Sequence, residues 1–91
     1  MIRKYNDYTL EDTHDRYEVG VADERLNEID EESFLADTLS EAVTHLKQNG
    51  YRCNSKSGCI SKRGHDFHYA MIWHNGFTVG DPEIVRKWER A

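Results

Sequence analysis

The sequence predicts an α+β fold: a small, mostly antiparallel sheet of roughly four to six strands, one central helix (about 38–49) and a short C-terminal helix (about 82–90). Three observations lead there. One segment carries an apolar repeat of helical period, closed by a start signal and a stop signal. Two other segments alternate apolar and polar side chains. Asn75-Gly76 then sits between apolar residues, where a two-residue hairpin turn belongs. With 91 residues, the chain is expected to form a single domain.

The elements follow in chain order. "DYTLEDTHDRY" fits either a strand that pairs Tyr8 and Leu10 or a short helix capped by Thr9; the strand is preferred. "RYEVGV" puts Tyr17, Val19 and Val21 on one face, as a strand does. "ADERLNEIDEES" reads as a turn with an acidic strand, or as a loop. A second strand ends at Phe34–Ala36 and feeds the helix.

That helix is the clearest element. Thr38 and Glu41 have the spacing of a capping box, in which each side chain satisfies a free backbone N–H. Leu39, Ala42, Val43 and Leu46 fall on one helical face. Asn49-Gly50 is a stop, and Tyr51 is placed to fold back on Leu46 in a Schellman ending.

Two hairpins follow. "CNSKSGC" places turn-forming residues between the cysteines. "FHYAMIWHNGF" alternates: Phe67, Tyr69, Met71 and Trp73 share one face, and His68, Ala70, Ile72 and His74 share the other. The first face, with its large rings, is expected to be the core face under the helix. In "GDPEIVRKWER", Asp81 is expected to cap a helix with Pro82 at its first position. Ile84, Val85 and Trp88 form its apolar side.

Charge is unevenly distributed. Residues 1–41 carry 13 acidic and 4 basic side chains, whereas residues 42–91 carry 4 and 8. The net charge is -5 and the mean hydropathy -0.86, but ten aromatic residues argue against disorder. No apolar run is long enough to cross a membrane, and "MIRKYNDYTLED" lacks the apolar core of a signal peptide. A cytoplasmic chain with no membrane partner is therefore expected, with its cysteines reduced.

Four candidate sites stand out. Cys53, Cys59, His65 and His68 have the ligand types for zinc, but not the tight C-x2–4-C knuckle of structural zinc sites. The expectation is no metal and no cofactor, with two partly buried thiols. If the "NSKSG" loop set Cys53 directly opposite Cys59, a disulfide would be geometrically open. Arg52, Lys56, Lys62 and Arg63 cluster around two turns and are the candidate nucleic-acid contacts. Catalysis could be drawn from His65, Asp66 and His68 with Cys59, but no P-loop, nucleophile elbow or HExxH is present, so no enzyme is expected.

The fourth site is acidic. Eight carboxylates fall between Asp23 and Glu41, offset only by Arg25. Glu28, Asp30, Glu31, Glu32 and Asp37 are the expected contacts for a basic partner. Leu26, Ile29 and Phe34, interspersed among them, would serve as apolar anchors.

The segment "SFLADTLSEAV", a strand running into a capped helix, resembles the strand–helix step of small phage-encoded host-inhibitor proteins, among them anti-CRISPR proteins and inhibitors of bacterial RNA polymerase. The likeness covers Phe34 to about Gly50. It implies an inhibitor of a host nucleic-acid enzyme and assigns no functional residues by itself; the carboxylates, at strand and turn spacing, are what would imitate the phosphate row of nucleic acid. A small nucleic-acid-binding domain using residues 51–68, zinc-stabilised or not, is the alternative. An acidic half and a basic half on one chain also leave a homo-oligomer open.

Overall fold

A computed structural model describes residues 1–64 and 67–91. Among these, seven strands form one sheet: β1 (Arg3–Lys4), β2 (Tyr17–Asp23), β3 (Phe34–Ala36), β4 (Arg52–Cys53), β5 (Ile60–Lys62), β6 (His68–His74) and β7 (Phe77–Thr78). Two helices, α1 (Leu39–Gln48) and α2 (Asp81–Arg90), complete the α+β fold. The strands run β1-β3-β2-β6-β5-β4, with β7 on β6, and every pairing is antiparallel. The strand count exceeds the expected four to six because β1, β4 and β7 are two residues long, too short to leave a period in the sequence.

The helix α1 forms as its caps dictate. Thr38 Oγ1 accepts the Glu41 N–H at 3.1 Å, and Glu41 reaches back to the Asp37 N–H. At the far end the Tyr51 N–H reaches Leu46 O and the Gly50 N–H reaches Lys47 O, the two bonds of a Schellman ending. The start of α2 differs from expectation by one residue. Gly80 is the cap and Asp81 the first helical residue, with Pro82 behind it. Asp81 still favours the positive end of the helix dipole. Lys47 ties the helices together, donating to Trp88 O at the C-terminus of α2 with its ammonium 5.6 Å from the Trp88 ring centre.

Both helices cover one face of the sheet. Val19, Val21, Ala70, Ile72 and Ile60 meet Leu39, Val43, Leu46 and Ile84 there. This corrects the reading of β6: Ala70 and Ile72 are the core residues, whereas Met71 is half exposed. Alternation alone cannot choose between two apolar faces. Register chooses, because Val19 lies opposite Ile72 and Val21 opposite Ala70. The rings of β6 therefore turn to the other side.

Residues 5–16 are a second correction. They form two 3-10 turns, Tyr5–Asp7 and Glu11–Thr13, rather than a strand. The Asp12 carboxylate accepts from the Thr9 N–H at 2.9 Å, so this local turn outcompetes a ladder. The acidic stretch after β2 is mostly loop. Its end is tied down by buried Ser33, whose hydroxyl accepts from the Val21 N–H and donates to Ile29 O.

Candidate partner-binding face

The face of the sheet away from the helices is made of two facing columns. Glu18 lies opposite Trp73, Gly20 opposite Met71, and Ala22 opposite Tyr69. Gly20 and Ala22 on β2 leave room for the large side chains of β6. Gly20 makes the room for Trp73, whose ring lies where a Gly20 side chain would be.

The N-terminal segment closes one end of this face. The Tyr8 hydroxyl donates to Glu18 Oε2 at 3.1 Å; burial first, and then the Glu18 carboxylate, push its phenol up. The Asp15 N–H donates to Asn75 Oδ1 at 2.8 Å, pinning the segment to the β6–β7 hairpin. Leu35, which also looks this way, is buried.

The other end stays open and carries Leu26. The Asp23 carboxylate accepts the N–H groups of Arg25 and Asn27, each at 2.9 Å. The Asn27 bond is the main reason its carboxyl is held below the usual range. This tight turn holds Leu26 at φ 67°, a left-handed conformation that leucine rarely adopts, and leaves it 78% exposed.

Between these ends runs a trough of about 600 Å³ over Gly20, bordered by Tyr8, Leu26, Met71 and Trp73, with Glu28 and Asp30 at its rim. Full burial of Leu26 or Met71 would each return about 1.5–3 kcal/mol. A side chain already half buried returns proportionately less.

The five expected acidic contacts divide. Glu28 and Asp30 stand on the trough, whereas Glu31 is exposed beside Lys4 and His45, away from it. Among the described residues no cation pairs with any of the three. Glu32 and Asp37 are engaged within the chain. Glu32 lies 2.6 Å from Lys62 Nζ and 2.6 Å from His68 Nδ1, and it accepts from the Tyr51 hydroxyl at 3.0 Å. Burial would push its carboxyl up, but the bonds from Lys62 and Tyr51 and the nearby charges outweigh burial and hold it low. Asp37 is held low by the N-terminal ammonium first and then by Arg16, at 2.7 and 3.0 Å. Of the expected anchors, Phe34 is buried and Ile29 packs on the core, leaving Leu26.

The basic set also divides. Register puts Arg52 in line with Ser61 and Tyr69 on the open face, and Lys62 in line with His68 on the helix side. Lys62 is occupied by Glu32, Arg63 lies 5.6 Å over the Phe67 ring, and Lys56 is exposed in the turn.

His65 and Asp66 lie outside the described residues, so the metal and acid–base readings that use them go no further. Among the described residues no three His, Cys, Asp or Glu side chains converge as metal ligands; His68 Nδ1 is buried 2.6 Å from Glu32 Oε2 but is not aligned for a hydrogen bond with it. Cys53 lies opposite Ile60 rather than Cys59, and both cysteines are free thiols. Burial, more than the neighbouring Cys59, Asp81 and Glu89, pushes the Cys53 thiol up. No described helix is long and apolar enough to cross a membrane.

Sequence reasoning missed Gly20 and Met71 on this face, and took Trp73 as a base-stacking ring beside the basic residues. The available signal was Gly20, an isolated glycine inside a strand pattern, which marks a close approach. No protein-family model matches this chain, and neither a curated protein nor a solved structure matches it.

Proposed function

We propose that this chain is a non-enzymatic protein-binding module whose open sheet face takes a basic partner. One observation carries the reading. Exposed Leu26 and half-exposed Met71 stand among carboxylates, those of Glu24, Glu28 and Asp30, that no described cation neutralises. An apolar centre with a charged rim is the anatomy of a protein interface, and a rim of one sign selects a partner of the other.

The sharpest form of the proposal is an inhibitor from a phage or mobile element. Its carboxylates would stand in for phosphates and occupy the nucleic-acid groove of a host protein. Small size and an acidic N-terminal half support it.

The test is capture from a nuclease-treated bacterial lysate at low and high salt. The wild type is expected to retain a basic protein that high salt releases, and a Glu28→Lys/Asp30→Lys variant to lose it. Equal retention by the folded double variant would sink the reading. Retention of nucleic acid alone, from untreated lysate, would assign the function to Arg52, Lys56 and Arg63 instead.

A further inference from the structure

The trough over Gly20 has a neighbour. β5 pairs with β6 only as far as Ala70, and β7 begins pairing at Trp73. This break in the sheet edge beside Met71 opens a notch of about 690 Å³. Ile60, Ile72, Val79 and Ile84, themselves buried core residues, form its floor, exposed Leu26 and half-exposed Met71 stand at its side, and Glu24 and Asp81 bring carboxylates. Leu26, Tyr69 and Met71 border both hollows, so notch and trough are one continuous surface with acid along its length.

Resting on the protein-binding reading above, we infer that the notch is an anchor pocket for one apolar side chain of a partner segment. Lysine or arginine residues flanking that side chain engage Glu24 and Asp81 at one end and Glu28 and Asp30 at the other. The occupant is a basic amphipathic peptide segment. A nucleic acid does not fit, because its phosphates would meet carboxylates and it has no aliphatic side chain to fill the notch. A second copy does not supply the segment either. Leu10 and Phe77, exposed outside this face, have no Lys or Arg within three residues, and Met1, exposed beside Arg3 and Lys4, has its ammonium held by Asp37 and Glu41 and its neighbour Arg3 held by Asp12.

The probe is a random 12-residue peptide library displayed on phage and selected on the immobilised full chain. The reporter is methyl-13C methionine, since the chain holds two methionines and Met71→Leu identifies the signal of Met71. Enriched peptides are expected to carry Leu, Ile, Met or Phe between Lys or Arg residues. Their synthetic versions should move the Met71 signal and bind at least tenfold more weakly to Leu26→Asn and to Met71→Thr. Basic peptides without an apolar residue, which leave the Met71 signal in place and are weakened by Glu28→Lys/Asp30→Lys, would overturn the anchor pocket and leave the acidic-surface reading standing. Peptides without net positive charge, or no enrichment, would overturn both. A dimer in sedimentation that Met71→Thr dissolves would give the face to a second copy and overturn the partner segment.

Discussion

The indole of Trp73 lies so close over Gly20 that a Cβ added there would come within 2.7 Å of the ring. Gly20→Val therefore displaces Trp73 and is expected to cost about 1–2 kcal/mol in denaturant unfolding. In a Trp73→Leu background the same change should cost less, with a coupling above about 0.5 kcal/mol. Additive effects would show that the ring does not depend on the missing side chain.

Leu26 is strained and exposed at once. Leu26→Asn puts a residue that tolerates the left-handed conformation into the same turn. Stability is expected to hold or rise by up to about 1 kcal/mol, because little buried surface is lost. Partner affinity is expected to fall in the same variant. A loss of stability would mean that Leu26 packs within the chain and is not held for a partner.

The acidic residues should separate into two classes. Glu28→Lys/Asp30→Lys is expected to change unfolding by no more than about 0.5 kcal/mol, as exposed, unpaired surface changes do. Glu32→Lys places a cation against Lys62 and His68 and is expected to cost on the order of 2 kcal/mol or more. Equal costs would contradict the division of these carboxylates.

Glu32 also predicts a pH dependence. Its folded carboxyl is held below the ordinary value, so its contribution is present above about pH 4.3 and is lost as pH falls through the lower folded value. Glu32→Gln should be about 1–2 kcal/mol less stable than wild type at pH 7. The gap should close as both are acidified below about pH 4. A gap that stays constant to pH 2 would remove the charge from the explanation.

Gly58 and Gly50 both have positive φ, 76° and 87°, but their surroundings differ. A Cβ on Gly58 would meet the Asp81 Cβ at 2.6 Å, whereas on Gly50 the nearest contact is the flexible Lys62 side chain at 3.5 Å. Gly50→Ala is expected to cost about 1 kcal/mol, from conformation alone. Gly58→Ala should cost at least about 1 kcal/mol more and loosen the start of α2, seen as faster amide exchange at Ile84. Equal costs would show that the turn can move away from Asp81.

Part of the fold is legible from residues that lie close together in the chain. α1 is written out by Thr38, Glu41, its apolar stripe and Asn49-Gly50. The β6–β7 turn is written in Asn75-Gly76, and the inward side of β2 in Val19 and Val21. All of these are local hydrogen bonds or local periods, and a few residues specify them. The remainder is set by pairing between distant segments. Both faces of β6 read as apolar, and only pairing with β2 turned Ala70 and Ile72 inward and left Tyr69, Met71 and Trp73 outward. Glu28 and Glu32 look alike in one acidic run, yet Glu32 is engaged by Lys62, thirty positions away, and Glu28 is not. Which face is covered and which charge is neutralised depend on residues far apart in the chain, and folding brings them together.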